Sequence, residues 1–305
     1  MRYFYSLLLI VPVLSFMFMT MLVPSVENNN IDLSEYEIVR SHSIEDVADN
    51  LSGITYSPDS KSLFAIINEP EKIVELSKSG RIIREIAMQN FHDTEGIAYI
   101  GGDEYAIIQE RSRIISIVTI RPETVAVDAR EFRKFNINPA KDPKSGLEGV
   151  AWSVKKGLYL ANESVPMEII NFSRVMFDQV LSTDGDGMQP SYFRDFPISD
   201  ISGLHFSEAE QLLFVLSDES KRLLAVNTLG KVVSTFNFYS LPFALDRKIV
   251  TPEGITIDSD NNIYVVGEPN VFMVLSPKVV TKTNVRQRQI NISSEEKIAL
   301  NAFPS

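Results

Sequence analysis

The sequence predicts an all-β protein: a β-propeller of five blades, with six as the alternative count, closed by an N-terminal strand and preceded by one apolar N-terminal helix. Three observations carry this expectation. A short motif ending in Ser-Gly or Glu-Gly recurs five times, at Ser52-Gly53, Glu95-Gly96, Glu148-Gly149, Ser202-Gly203 and Glu253-Gly254. Each motif opens an apolar stretch, a polar turn and a second apolar stretch, ending at Glu69, Glu110, Glu163, Glu219 or Glu268, 14 or 16 residues beyond its Gly. A difference of two in a hairpin keeps every side chain on its own face. Successive motif glycines stand 43, 53, 54 and 51 residues apart, a period at which several short strands make one propeller blade.

In chain order, Arg2 is followed by residues 3–23, a run without a charged side chain that is long enough to cross about 30 Å of hydrocarbon as a helix. Residues 1–25 therefore form a signal or membrane segment. Val23-Pro24-Ser25 is a poor cleavage site, so an uncleaved anchor is expected. Arg2 lies on one flank and Glu27, Asp32, Glu35 and Glu37 on the other, which puts the N-terminus in the cytoplasm. The body then lies in the periplasm or another extracytoplasmic space, tethered to the inner (plasma) membrane. Residues 26–35 read as a linker, 36–275 as the propeller and 276–305 as a peripheral tail.

Residues 36–42 alternate as a strand should, and precede the first motif by about as much as residues 81–86 precede the second. This strand is expected to complete the last blade and remove an exposed sheet edge. Third and fourth strands are legible in the first and fourth copies, joined by Ser79-Gly80 and Leu229-Gly230 turns. Longer middle repeats place insertions near residues 121–145 and 172–192 on a rim.

Composition narrows function. The net charge of −11 disfavours the phosphate-neutralising grip of nucleic-acid binding. Without cysteine there is no disulfide, thiolate metal site or Cys nucleophile. No Walker loop, dinucleotide fingerprint, nucleophile elbow or His-Glu-x-x-His is present. Asp184-Gly185-Asp186-Gly187 lacks the remainder of a calcium loop and reads as a turn.

A hairpin brings the residue before its first strand beside the residue after its second. The motif residues and Glu69, Glu110, Glu163, Glu219 and Glu268 should thus ring one mouth of the central channel, and eight of these ten positions are carboxylates. So many carboxylates need compensation. A hard divalent cation, calcium above all, would take oxygens from Glu95, Glu148, Glu253, Asn162 and Asn68. Alternatively the second-strand Glu set latches onto backbone N–H groups of the neighbouring blade's turn, or pairs with Lys72, Arg111, Arg113, Lys221 and Arg222. An Arg111 rim beside a metal would also hold an anionic ligand. His92, adjacent to Asp93, is the histidine to test as a base, whereas His205 sits at an inner-strand packing position.

In order, Leu51-Ser52-Gly53, Thr94-Glu95-Gly96, Leu147-Glu148-Gly149, Ile201-Ser202-Gly203 and Pro252-Glu253-Gly254 resemble the motifs of the SdiA-regulated family of bacterial proteins, over about residues 36–275. The resemblance implies a membrane-anchored five-bladed propeller with a metal site and no established reaction, the family name referring to regulation by a quorum-sensing transcription factor. More distantly, calcium-dependent lactonases and propeller phytases look similar in placing acidic residues at a channel mouth. Because no full catalytic set is evident, a monomeric, non-enzymatic propeller binding a small molecule or protein partner is expected. The alternative is a metal-dependent hydrolase of lactones, esters or phosphoesters.

Overall fold

The computed structural model describes residues 31–47, 49–137, 146–164, 166–174, 177–178, 191–240 and 251–278. The apolar run at 3–23, the Asp184 to Gly187 turn and nearly all of the tail lie outside them. Among the described residues no helix is long and apolar enough to cross a membrane.

Strand β1 (Tyr36–Ser43) comes first. Blade 1 is β2 (Leu51–Ser57), β3 (Ser62–Ile67), β4 (Lys72–Leu76) and β5 (Ile82–Gln89). Blade 2 is β6 (Thr94–Gly101), β7 (Glu104–Gln109), β8 (Ile114–Thr119) and, after an excursion through β9 (Ala126–Asp128), β10 (Arg133–Asn136). Blade 3 comprises β11 (Leu147–Ser153), β12 (Gly157–Asn162), β13 (Glu168–Phe172) and β14 (Ser191–Phe193). Blade 4 comprises β15 (Gly203–Ser207), β16 (Leu212–Ser217), β17 (Arg222–Asn227) and β18 (Val232–Asn237). Blade 5 holds β19 (Thr251–Ile257), β20 (Ile263–Glu268) and β21 (Val271–Pro277), and is completed by β1, whose antiparallel pairing runs from Tyr36↔Pro277 to Ser43↔Val271. Five blades and N-terminal closure are therefore what the fold contains.

The second strand of each blade is buried on both faces, as in Leu212–Ser217 and Ser62–Ile67. It is sandwiched between neighbouring sheets, which is why these stretches read as continuous apolar runs rather than alternations. Outer strands alternate instead: β5 and β18 expose every second residue over much of their length. Five apolar clusters fill the five seams between blades. At the seam between blades 3 and 4 the rings of Tyr159 and Phe206 stack with centroids 5.5 Å apart. Inner strands are also stitched together: Thr55 Oγ1 accepts from the Tyr99 N–H and Thr256 Oγ1 from the Tyr56 N–H, both at 2.9 Å.

Two segments depart from expectation. The insertion after β8 does not stay on its own blade, because β9 pairs parallel with β5 and gives blade 1 a fifth strand. Arg84 of β5 secures it, donating to the carbonyls of Pro122 (2.8 Å) and Thr124 (2.7 Å) and to Glu75 (2.5 Å). The end of the expected linker is likewise part of the fold: Ile31 and Leu33 are buried with blades 4 and 5, and the Leu33 N–H donates to Ser234 Oγ at 2.8 Å. These two apolar side chains cover a seam that would otherwise face water.

Candidate functional site

The five motif glycines line the channel, with Ile54, Ile97, Val150, Leu204 and Ile255 next to them. A Cβ on Gly53 would lie 2.7 Å from the Glu95 carbonyl oxygen, and one on Gly254 would lie 2.5 Å from that of Ser52. Closing a ring with only five inner strands brings adjacent backbones too near for any side chain at these positions. The residue before each glycine is therefore the last that can face the mouth.

A β-bulge aims it there. Pairing slips between Thr94 and Gly96, between Leu147 and Gly149, and between Pro252 and Gly254, leaving Glu95, Glu148 and Glu253 as extra residues; the slip between Leu51 and Ile54 does the same for Ser52. An extra residue bends the strand and redirects a side chain. Glu95 is thus not directly opposite Glu110, as plain pairing predicted, but turned toward the axis.

The mouth carboxylates converge in two groups. Asp93, Glu95 and Glu110 each bring an oxygen within 4.8 Å of the others, and so do Glu110, Glu148 and Glu163. Glu110 belongs to both groups and is 9% exposed. Gly146 makes room for it, since a Cβ there would fall 2.2 Å from the Glu110 side chain. The Asn68 amide and the Ser52 hydroxyl both hydrogen-bond Glu95. Burial, reinforced by neighbouring carboxylates, pushes the Glu95, Glu110 and Glu148 carboxyls up. Burial, then Asp218 and Glu95, pushes Glu253 up to about 8. Glu163 and Glu268 are also raised, chiefly by burial.

The expected site residues separate into three kinds. Glu95, Glu110, Glu148 and Glu163 come together, while Glu253 stands outside both groups but within electrostatic range of Asp218, Glu95, Glu268 and Asp200. Glu69 and Glu219 are exposed on the rim, as is His92, whose backbone N–H donates to Gln109 Oε1 at 2.8 Å. Asn162 does not join the carboxylates as a ligand: it is buried, its carbonyl accepts from Arg113 at 2.6 Å and its amide donates to the Pro166 carbonyl at 2.6 Å. Arg113 is accordingly a buried structural cation. Arg111 is exposed and reaches Asp93 at 3.2 Å and Glu110 at 3.6 Å, whereas Lys72 pairs with Glu85 and Lys221 with Asp218.

Sequence reasoning passed over Asp93 and Asp200, each two residues before a motif Glu or Ser. Asp200 accepts the Ser217 hydroxyl and the Asp218 and Glu219 N–H groups, the latter two at 3.1 Å; Asp93 accepts the Arg111 N–H at 3.2 Å. These aspartates hold the end of the second strand within their own blade, a different contact from the one expected between a second-strand Glu and the neighbouring blade's turn. The shared Asp-x-Glu/Ser-Gly pattern was the available signal. His205 lies in the channel wall with Nδ1 3.3 Å from Thr256 Oγ1, and burial lowers it to about 4, so it is neutral.

Both groups are all-oxygen, which suits a hard cation such as calcium rather than a soft one.

The chain belongs to the SdiA-regulated family, whose pattern it matches over residues 28–276. Among solved structures it is similar to glutaminyl cyclase of Myxococcus xanthus, at 13% identity and a TM-score of 0.55 over 79% of this chain and 96% of that one. It is also similar to XC5397 of Xanthomonas campestris, described as a gluconolactonase, at 13% identity and a TM-score of 0.47 over 80% and 90%. For virginiamycin B lyase of Staphylococcus aureus the values are 13% and 0.46, over 79% and 99%. At such identities the likeness is one of fold.

Proposed function

We propose that this member of the SdiA-regulated family is a membrane-tethered, extracytoplasmic propeller that binds a ligand or protein partner at its channel mouth around a divalent cation, calcium fitting best. The observation that carries this reading is Glu110, a buried carboxylate shared by two carboxylate groups drawn from two adjacent blades. A cation held by Glu95, Glu110 and Glu148, with Asp93 and Glu163 at the side, would offset the burial and the carboxylate repulsion that raise these carboxyls. The exposed Arg111 beside them suits an anionic group on the ligand. The tether is residues 3–23, on the strength of their uncharged length.

Hydrolysis of a lactone, ester or phosphoester is the second reading, and one observation favours it. Glu163 is only half-buried yet stands in the cation group, where a carboxylate with a raised pKa can take a proton from water. Thermal unfolding with calcium or EDTA tests the first reading: calcium should raise Tm, and Glu95→Gln with Glu148→Gln should abolish the shift. An unchanged Tm removes the cation. Turnover of a lactone or phosphoester panel that disappears in the same variant would replace binding with catalysis.

A further inference from the structure

We propose that the seam between blades 3 and 4 is a second binding site, apart from the carboxylate mouth, and that it takes a small uncharged phenol. The ring would lie near the place that Tyr105 fills in the seam between blades 1 and 2. Counting from the motif glycines identifies the equivalent residues. The pair Thr55↔Phe64 in blade 1 matches Ala151↔Tyr159 in blade 3, and Tyr99↔Tyr105↔Val118 in blade 2 matches Phe206↔Leu213↔Val226 in blade 4. Leu213 therefore stands where the other seam has Tyr105.

Tyr105 shows what fills such a place. It is 2% exposed, and its ring centroid lies 5.0 Å from that of Phe64 and 5.5 Å from that of Tyr99. Leu213 has no ring to offer. Stacking of Tyr159 on Phe206 takes up part of the difference. The remainder is a cleft walled by those two rings, Leu213 and Val226, with Phe193 and Phe196 from the outer part of blade 3. The space among them, counted out to solvent, is about 260 Å³. Pockets for larger ligands run from about 300 to 1,000 Å³, so a single ring is the size this cleft suits.

Polar groups in the wall select the ligand further. Tyr159 is 4% exposed, yet its hydroxyl has no hydrogen-bond partner among the described residues. The Tyr264 hydroxyl, at the same position in blade 5, donates to Asp258 at 2.8 Å. Burial, then Glu208, pushes the Tyr159 phenol up to about 12, so it stays protonated. The Asn227 side-chain carbonyl accepts from the Leu229 and Lys231 N–H groups at 3.0 Å, which leaves its amide N–H groups without a partner among the described residues, as is the Thr228 hydroxyl beside it. A ligand hydroxyl would pair a group that is unfavourable to leave unpaired. Among the described residues no Lys or Arg lines the cleft, and Glu208 is close enough to act on Tyr159. An anion is disfavoured there, whereas a phenol O–H can both donate and accept. The Tyr105 hydroxyl lies beside Ser57; Ser153 holds the matching position in blade 3 and donates to Glu208 at 2.7 Å, so an acceptor is at hand.

Para-cresol is the probe, titrated calorimetrically into the full chain, with benzoate as an anionic ring of similar size. Saturable binding of para-cresol at millimolar concentration is expected, with nuclear Overhauser contacts from its ring to the methyl groups of Leu213 and Val226, and none from benzoate. Leu213→Tyr and Leu213→Phe supply the ring from the chain itself, as blade 2 does, and should weaken para-cresol binding about tenfold or more. Should neither variant fold, the contacts in the unaltered chain still decide. Absence of contacts to Leu213 and Val226, equal binding of benzoate, or undiminished affinity in folded Leu213→Tyr and Leu213→Phe overturns the proposal.

Discussion

The same mouth position carries Glu in blades 2, 3 and 5 and Ser in blades 1 and 4, and the two sets serve the molecule differently. Ser202 donates to the Pro252 carbonyl at 2.6 Å, and Ser52 bonds Glu95, so each hydroxyl spans a seam to the next blade. The glutamates instead project acid into a space shared with other acids, and their carboxyls rise. The bulge and the following glycine are requirements of the ring; the choice of acid or hydroxyl before that glycine is what would set the proposed cation site. Substitutions at these positions should therefore divide into those that break the ring and those that silence the mouth.

The largest effect is expected at the ring. Gly254→Ala puts a Cβ 2.5 Å from the Ser52 carbonyl and 2.8 Å from the Ile54 nitrogen, which should cost about 3 kcal/mol in urea unfolding. By comparison Gly102→Ala, with φ +59 and open space around its Cβ, should cost about 1 kcal/mol.

Glu148→Gln comes next and should remove only the response to calcium, a stabilisation of about 2.7 kcal/mol when calcium exceeds its Kd about a hundredfold. Differential scanning calorimetry at fixed calcium reads it directly.

The pH dependence sharpens the comparison further. The carboxyl of Glu253, ordinarily near 4.5, is raised to about 8 in the fold. The folded chain thus binds more protons than the unfolded chain between these values. Without cation, the contribution of Glu253 to stability should be fully present below pH 4.5 and be lost as pH rises through about 8. Denaturant midpoints across that window should show a shallower fall in Glu253→Gln.

Ser202→Ala should be the mildest change, about 1 kcal/mol for the lost hydrogen bond, with the calcium response intact. If it abolished that response, the division between hydroxyl and acid positions would fail.

Repetition made the architecture legible: five motifs with nearly constant spacing gave blade count, inner hairpins and the closing strand. The bulges were not, because a two-for-one mismatch changes register without changing the count from Gly to Glu. Asn162 read as a ligand because its type and place allowed it, and only the partner geometry of Arg113 and Pro166 shows that both ends are occupied. Strand β9 was hidden by its brevity, since Ala126–Asp128 carries no alternation long enough to read and pairs with a blade other than its own. Asp93 entered the sequence reading only as the neighbour of His92, because a positive φ of +59 and the contact to the Arg111 N–H have no signature in residue type or spacing.

The central claim is that a cation replaces protons among the mouth carboxylates. Calcium titrated calorimetrically into cation-free full chain near neutral pH, in buffers of different ionisation enthalpy, counts protons released per cation bound. Binding with net proton release, both diminished in Glu148→Gln, is the predicted result. No binding, or binding without proton release that persists in Glu148→Gln, would contradict it.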